Sequence, residues 1–285
     1  MVDVAALLGS TFPDLDVATV EQLGEGWDHV AYLVNGDLVF RLPWEIVEGT
    51  GPAPGAAAEI ALLRAVAGRL PLAVPSPQWV APDDAWFGYP YLAGSPVQGG
   101  PLPDGFAALV TETIVAIEGA PGVGLPARRQ PTDDDALVAS LVGRGVVPAT
   151  IDAAVQNAMA TRAERWPAAV ARRCVVLHAD LGLDHWLVDD TGRVVALIDW
   201  SDAVVGPPET QLRTLLWDEP ALARDVIGRY EDATGIAVDR ELVVADGLIQ
   251  AYTDLAELTA EGDDDTERCH WFLEHWSEVG IGALQ

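Results

Sequence analysis

Residues 175–200, VVLHADLGLDHWLVDDTGRVVALIDW, combine two kinds of sequence that seldom lie side by side. Apolar runs typical of short buried strands alternate with charged and titratable residues, namely His178, Asp180, Asp184, His185 and Asp199. Burying a charge is unfavourable unless a partner or a metal compensates it. These side chains are therefore either surface loop residues or the surroundings of a positive group.

The composition indicates a folded protein with one large domain or two lobes. The chain has 285 residues, half of them hydrophobic, which is enough for sizeable cores. No apolar run reaches the roughly 18 residues of a membrane span, and the N-terminus lacks the basic region of a signal peptide. Only two cysteines occur, Cys174 and Cys269, which favours a reducing cytoplasm. We expect Cys174, next to an apolar strand, to be a small core residue.

The charge balance is strongly acidic and limits the partners of the protein. The formal net charge is −28, and the chain contains no lysine. Such a surface repels nucleic acid and anionic membranes and attracts cations. A solubility or genome-composition bias is the simpler interpretation of this charge, and a cationic small-molecule partner is the functional alternative.

The first third of the chain reads as strands with one helix. The segments at 17–34 and 37–43 flank Asn35-Gly36, the strongest short signal for a β-hairpin. Helical spacing of apolar residues follows at 55–70, and strand character returns at 75–97. The Gly- and Pro-rich segment VQGGPLPDG is a plausible boundary, so we predict a β-rich lobe at 1–95 and a second lobe at 96–285.

The remainder of the chain is mainly helical by the same criterion. Helical apolar spacing occurs at 104–120, 150–173, 220–235 and 241–262. The opening stretch lies between the second and third of these segments, as two short strands, CVVLHA and VVALIDW. A small sheet within helices places the polar residues of this stretch at strand ends, and the predicted class is α+β.

Three chemistries fit the polar residues of the opening stretch. A structural hydrogen-bonded cluster is one, and zinc held by His178, His185 and an aspartate is another, although the usual zinc spacing is missing. A hard divalent cation on Asp199, with Asp180 left as a base, is the arrangement of phosphoryl transfer and explains the pattern best.

The β-rich segment supports phosphoryl transfer. Gly24 and Gly26 lie in LGEGWDHVAYLV, a predicted strand–turn–strand that could present backbone N–H groups to phosphates. Arg41 follows in the next strand, where the alternative is an edge-strand arginine with a solvated head group. Glu59, in the following helix, could pair with Arg41.

At this point the sequence resembles the aminoglycoside and macrolide phosphotransferases, antibiotic kinases with a two-lobed protein-kinase-like fold. The resemblance is carried by LHADLGLDHWLVDD and ALIDWSDA, and by LGEGWDHVAYLVNGDLVFRLP and GYPYLAGSPV in the first lobe. It implies that Asp180 is the catalytic carboxylate, that Asp199 and His185 are magnesium ligands, and that His178 is a structural anchor of the loop. Many relatives have asparagine at the position of His185.

The resemblance also implies a nucleotide site. Arg41 stands where relatives have a phosphate-binding lysine, with Glu59 as its partner, and the donor is ATP or GTP with Mg²⁺. Pro90 and Leu92 would be hinge residues that meet the base through their backbone. Ala179 replaces a glycine, and in GPPETQL Pro207 and Gln211 replace two aspartates of the family pattern.

The implied function is phosphorylation of an antibiotic hydroxyl by a monomeric cytoplasmic enzyme. The acidic charge suits an amine-bearing substrate, and Trp271 and Trp276 could line its site or pack in the core. A kinase for choline, an amino sugar or homoserine would use the same catalytic residues. A nucleotide-binding pseudokinase is a weaker alternative because Asp180 and Asp199 are intact, and a protein kinase would need an activation segment after IDW.

Overall fold

The computed structural model describes residues 2–53, 55–97, 101–122, 124–128, 138, 149–261, 269–273 and 284. These residues form two compact units. The first unit contains the chain up to Pro96 and also Trp186–Ser201, and the second contains most of the remaining residues. Phe87–Pro90 and the other strands of the main sheet lie in the first unit, whereas the long helices lie in the second.

The first unit is built on a five-stranded antiparallel sheet in the order β1-β2-β3-β5-β4. The predicted hairpin is present, because Asn35 and Gly36 adopt φ values of 55° and 77°, the left-handed conformation that such a turn requires. The strands are β1 (Val20–Glu25), β2 (His29–Val34), β3 (Leu38–Pro43), β4 (Trp79–Val80) and β5 (Phe87–Pro90).

Aromatic and aliphatic side chains pack between this sheet and two short helices, α1 (Val4–Thr11) and α2 (Trp44–Glu48). Phe12 contacts the rings of both Phe40 and Trp86, at centroid distances of 5.9 and 5.4 Å. The third helix, α3 (Ala57–Val66), buries Ile60, Leu62, Leu63 and Val66 and also Glu59. Helix α3 therefore carries a carboxylate on an otherwise apolar buried face.

A second, three-stranded sheet in the first unit has the order β6-β8-β9. Its strands are β6 (Ser95–Pro96), β8 (Trp186–Val188) and β9 (Val194–Leu197). Ala73 fixes this sheet to the preceding chain, since its N–H donates to Val195 O and its carbonyl accepts from Leu197 N. The end of β9, where Asp199 follows, is thereby held on both sides.

Five helices are described in the second unit, with a two-stranded sheet of β7 (Val175–Leu177) and β10 (Val204–Gly206). The four predicted helices are confirmed. The sequence did not predict α6, because all its residues up to position 217 are buried, polar and apolar alike, so no solvent-facing polar side marks the helix. The helices are α4 (Phe106–Glu118), α5 (Ala149–Arg172), α6 (Glu209–Asp218), α7 (Pro220–Thr234) and α8 (Arg240–Glu261).

The prediction for Cys174 is wrong, since its side chain is exposed. The residue belongs to the two-residue connection between the end of α5 and the start of β7, and not to the buried strand itself. Its Sγ lies 3.6 Å from the carbonyl oxygen of Val170.

Among the described helices, none has an apolar run of the length that crossing a bilayer requires.

Candidate active site

A buried arginine joins two carboxylates in the first unit. Arg41 lies in the middle of β3, between β2 and β5, so the edge-strand alternative is wrong. Its Nη1 donates to Oε1 of Glu59 at 2.6 Å, and its Nη2 donates to Oδ1 of Asp199 at 2.9 Å. The pairing of Arg41 with Glu59 expected from the sequence is present, and Asp199 joins it from a distant part of the chain.

The surroundings of Arg41 keep its guanidinium charged. Burial alone would lower the pKa of Arg41, but the carboxylates of Glu59 and Asp199 outweigh it and raise the pKa. For Glu59 burial raises the pKa, and the charge of Arg41 opposes that effect. Burial raises the pKa of the neighbouring Tyr89 hydroxyl to about 12, while the hydrogen bond from His29 lowers the pKa of Asp28. The cluster thus holds a fixed positive charge among several acidic groups.

Asp199 has the geometry of a carboxylate that can hold a metal ion. Its backbone has φ 61°, a conformation that is strained for a non-glycine residue and clusters at functional sites. Its Oδ1 accepts from Arg41 and, at 3.1 Å, from the hydroxyl of Ser201, while 42% of the side chain stays exposed. Magnesium usually takes one or two protein carboxylates and completes its shell with phosphate oxygens and water. A fixed, partly exposed carboxylate fits that demand.

The glycine-rich turn has a defined internal structure. Gly24 lies in β1, where the register with β2 shifts, and Gly26 N donates to His29 O at 2.9 Å. The indole N–H of Trp44 donates to Gly26 O. A Cβ on Gly24 would meet no atom within 4 Å, and one on Gly26 only His29 O at 3.9 Å. The two glycines therefore leave open space beside the turn.

The two predicted hinge residues follow the last paired strand of the sheet. Pro90 ends β5 opposite Leu38, and the next residue, Tyr91, donates its N–H to Asp37 O at 2.8 Å. Leu92 comes after the strand and is half-buried. Their contact with a nucleotide base stays a prediction.

The loop that carries Asp180 is in the second unit and contains hydrogen bonds between its own residues. His178 is fully buried, and its Nδ1 accepts the N–H of Asp180 at 3.3 Å, as suits a structural anchor. Ala179 has φ 69°, in the region that favours the glycine of the family pattern. The side chain of Asp180 is 31% exposed, so the carboxylate is available for chemistry while its backbone is fixed.

His185 is oriented by the same loop. Its Nδ1 lies 3.2 Å from the carbonyl oxygen of Asp180. An acceptor at this distance selects the tautomer with a proton on Nδ1, which leaves the lone pair on Nε2. Metal-binding histidines usually donate their other ring N–H in this way. The Nε2 lies 3.9 Å from Oδ2 of Asp184, and the role of His185 as a metal ligand stays a prediction.

A zinc site finds no support in the part of the chain that the structure describes. A protein-held zinc ion requires three or four converging ligands. No group of three or more histidine, cysteine or acidic side chains suited to hold an ion occurs among the described residues.

Trp271 and Trp276 are the two candidate substrate residues from the sequence. Trp271 is described and 40% exposed, whereas Trp276 lies outside the described residues. The acidic clusters at 132–138 and 261–267 lie almost wholly outside them as well.

The sequence did not predict how the loop with Asp180 is fixed. Helix α6 presents three side-chain acceptors to it, Gln211, Thr214 and Asp218. Their spacing, three and then four residues, places them on one face of a helix. Polar residues at this helical spacing, shortly after the segment with Asp180 and Asp199, are the signal that could have identified them.

The comparison with protein families decides the class of this protein. Residues 19–242 match the model of the phosphotransferase enzyme family, known by the abbreviation APH. The chain belongs to this family. The predicted resemblance and the phosphotransferase class are thereby confirmed. No curated protein sequence matches this phosphotransferase significantly.

Several solved structures have a similar fold. The GDP and kanamycin complex of APH(2")-IIia has a TM-score of 0.77 at 21% identity, with 96% of this chain and 98% of the other covered. The GDP complex of wild-type aminoglycoside 2'-phosphotransferase-IIIa gives 0.73 at 24% identity, over 96% and 97% of the two chains. Macrolide 2'-phosphotransferase MphH from Brachybacterium faecium, as apoenzyme, gives 0.62 at 21%, over 95% and 97%. At these identities the likeness shows the fold, which confirms the predicted α+β kinase-like class.

Proposed function

We propose that this phosphotransferase transfers the γ-phosphate of ATP or GTP to a hydroxyl group of an amine-bearing antibiotic, an aminoglycoside or a macrolide. The observation that carries the proposal is the buried Arg41, which donates to Glu59 and to Asp199 at once. A cation fixed by two carboxylates, one of them partly exposed, suits the recognition of a metal-bound triphosphate.

The first unit would supply the nucleotide contacts. Arg41 would bind phosphate oxygens, and Glu59 would keep its guanidinium in place. Asp199 would hold Mg²⁺, with His185 as a further ligand, and the bound ion would neutralise charge on the phosphates. Gly24 and Gly26 would allow phosphate to approach the turn closely.

Asp180 would act on the acceptor. Its carboxylate would accept a hydrogen bond from the substrate hydroxyl and orient that oxygen in line with the γ-phosphorus. As the new P–O bond forms and the bond to the leaving diphosphate breaks, the hydroxyl proton passes to Asp180. Phosphoryl transfer has a loose transition state, so positioning and charge neutralisation supply most of the rate enhancement.

The charge of the protein supports a cationic acceptor. A net charge of −28 concentrates positively charged small molecules near the protein. Two of the similar structures contain or name such compounds, since one is a kanamycin complex and another is a macrolide phosphotransferase. Antibiotic resistance, a cytoplasmic location and a monomeric state belong to this proposal. A kinase for choline, an amino sugar or homoserine is the alternative.

A nucleotide-consumption screen tests the proposal. The purified enzyme would be incubated with Mg-ATP or Mg-GTP and aminoglycosides, macrolides or small amino alcohols, and products would be identified by mass spectrometry. We expect a phosphorylated aminoglycoside or macrolide. Turnover of amino alcohols alone would select the alternative, and the absence of any phosphorylated product would contradict kinase function.

Two variants assign the roles within that assay. Asp180→Asn should keep nucleotide affinity and lower kcat by roughly two to four orders of magnitude, the range of a general base. Asp199→Ala should abolish magnesium-dependent nucleotide binding. Calorimetry that finds unchanged Mg-nucleotide affinity in Asp199→Ala would overturn the metal assignment.

A further inference from the structure

Helix α6 and the loop with Asp180 are joined by a ladder of three hydrogen bonds. The N–H of Ala179 donates to Oε1 of Gln211 at 2.8 Å, and the N–H of Leu181 donates to Oγ1 of Thr214 at 3.0 Å. The N–H of Leu183 donates to Oδ2 of Asp218 at 2.8 Å. Every second N–H of the loop is thus bonded to a side chain of one helix.

The spacing of the bonded residues in the loop and in α6 explains how the three hydrogen bonds form together. The three bonded N–H groups belong to alternate residues, 179, 181 and 183, and all of them donate to α6. Residues 211, 214 and 218 fall on one face of α6. Asp180 lies between the first two bonded N–H groups, so the ladder fixes the backbone on both sides of it.

The first two hydrogen bonds of the ladder lie in the core, where an unmade hydrogen bond is costly. Gln211 is fully buried, Thr214 is 4% exposed, and Ala179 is 3% exposed. Neither side chain can exchange its partner for bulk water, so each acceptor restricts the loop to one position. Ala179 also adopts a positive φ of 69°, a strained conformation that persists only when the surroundings enforce it.

The first acceptor is an amide where the family pattern has an aspartate. The Oε1 of Gln211 serves Ala179, while its Nε2 is buried without a hydrogen-bond partner among the described residues. The amide supplies the acceptor that the N–H of Ala179 requires. It also does not titrate, so its hydrogen bond is independent of pH.

We infer that Gln211 and Thr214 are positioning residues, which act on the reaction only by fixing the loop that carries Asp180. The inference rests on the proposed role of Asp180 as the residue that orients the acceptor hydroxyl. A displacement of about 1 Å in a catalytic group can lower the rate by roughly 100-fold. Loss of either acceptor therefore lowers kcat and leaves nucleotide binding intact.

Two pairs of variants test the inference. Gln211→Met keeps the length of the side chain and removes the acceptor. Gln211→Glu keeps an oxygen atom that can accept the hydrogen bond from Ala179. Thr214→Val removes a hydroxyl that accepts from Leu181, and its matched control is Thr210→Val on the same helix. Thr210 is equally buried, at 1% exposure, and its hydroxyl has no hydrogen-bond partner among the described residues.

The expected results separate positioning from stability. Gln211→Met and Thr214→Val should lower kcat roughly 10- to 100-fold, with the Mg-nucleotide Kd unchanged, while Gln211→Glu and Thr210→Val stay within a few-fold of the parent enzyme. In an Asp180→Asn background neither Gln211→Met nor Thr214→Val should lower kcat further, because residues that act as a unit are not additive.

Three outcomes would overturn the inference. The first is wild-type kcat in Gln211→Met and Thr214→Val, and the second is an equal loss of kcat in the Asp180→Asn background. The third is an equal loss of kcat in Thr214→Val and Thr210→Val, which is a general packing effect. Thr214→Val decides the question if Gln211→Met does not fold. If Asp180→Asn itself turns over at the parent rate, the proposed role of Asp180 fails instead.

Discussion

At the scale of single residues, two positive φ values occur at or beside candidate site residues. Ala179 precedes the carboxylate of Asp180, and Asp199 is itself the candidate metal ligand. The other non-glycine residues with positive φ among those described, Asn35 and Asp84, are turn residues. Such backbone conformations are held in place by the surrounding structure, and they cluster at functional sites. Strain at these two positions therefore supports their assignment independently of the motif.

Variants of Arg41 and Glu59 can separate an effect on stability from an effect on nucleotide binding. Both side chains are buried, and removal of one partner leaves the other charge uncompensated. We expect Arg41→Met to lower the free energy of unfolding by about 3–5 kcal/mol. The double variant Arg41→Met/Glu59→Met should regain most of that stability, since a buried ion pair can often be replaced by apolar side chains of similar volume.

The measurement for the Arg41 variants is urea unfolding combined with calorimetry of Mg-nucleotide binding. The double variant should be stable and still bind nucleotide weakly, because the phosphate-binding charge is lost. Restored affinity in the double variant would contradict the assignment of Arg41. Equal instability of the single and double variants would mean that Glu59 is not the charge left uncompensated.

At the scale of single elements, strand β5 owes its place beside β3 to a glycine. Gly88 is paired with Phe40, and a Cβ on Gly88 would lie 2.4 Å from the Phe40 ring. That distance is far below van der Waals contact, so the ring or the strand would have to move. Since β3 also carries Arg41, the close packing of these two strands influences the candidate site.

Gly88→Ala should therefore lower the free energy of unfolding by about 1–3 kcal/mol, the usual effect of overpacking a core. Gly9→Ala is the control, because a Cβ in that position of α1 would meet no atom within 4 Å. A glycine within a helix is less favourable than alanine, so Gly9→Ala should be neutral or stabilising by up to about 1 kcal/mol. Urea unfolding of both variants decides the matter, and equal stability of the two would contradict the close contact.

The helices of the second unit are joined by a buried ionic cluster. Asp246 of α8 is 1% exposed and pairs with Arg162 of α5 at 3.2 Å and Arg213 of α6 at 3.4 Å. Arg128 lies 3.7 Å away. Burial by itself would raise the pKa of Asp246, but the three guanidinium charges outweigh it and lower the pKa below its usual value near 3.8. Asp246 thus stays charged and supports three segments at once.

Asp246→Asn should lower the free energy of unfolding by about 3–5 kcal/mol at pH 7. Because the folded-state pKa is lowered, the contribution of Asp246 is fully present above the unfolded-state pKa and disappears only as pH falls through the folded value. The stability difference between wild type and variant should then be constant from about pH 8 to 4.5 and shrink only at lower pH.

Urea unfolding across this pH range provides the test, with Asp225→Asn as the control. Asp225 pairs with Arg229 at 2.8 Å on the surface, where both side chains are about half exposed, so its loss should change stability by no more than about 1 kcal/mol. A difference for Asp246→Asn that already shrinks between pH 7 and 5 would contradict the lowered pKa.

At the scale of the whole molecule, the charge is the dominant feature. With 44 acidic and 16 basic residues the chain carries a net charge of −28, and such an excess destabilises the compact state through self-repulsion. Many of the arginines are engaged in ion pairs within the fold, among them the buried clusters around Asp199 and Asp246. In the part of the chain that the structure describes, most of the other acidic side chains are exposed or half-buried, where salt can screen them.

We therefore expect the urea midpoint to rise when sodium chloride increases from about 0.01 to 0.15 M, as the screening length falls from about 30 to about 8 Å. Tetramethylammonium chloride should have the same effect, because screening does not depend on the identity of the cation. A midpoint that falls with either salt would contradict dominant repulsion. A rise with sodium alone would indicate specific binding.

The sequence by itself determined the features that depend on neighbouring residues. The Asn35-Gly36 hairpin, the strands around it and four of the helices follow from local turn chemistry and apolar spacing. The same holds for the segment with Asp180, His185 and Asp199, whose motif carried the resemblance to the family. Motif and period are local properties, so they can be read before the chain folds.

Only the tertiary structure decided which distant residues meet. Arg41 and Asp199 are 158 positions apart. The hydrogen bonds from the loop with Asp180 to Gln211 and Thr214 span more than thirty positions. Helix α6 escaped prediction because it buries polar as well as apolar side chains, so its sequence shows no separation into an apolar and a solvent-facing side. These contacts depend on the path of the chain between the partners, and local spacing contains no information about that path.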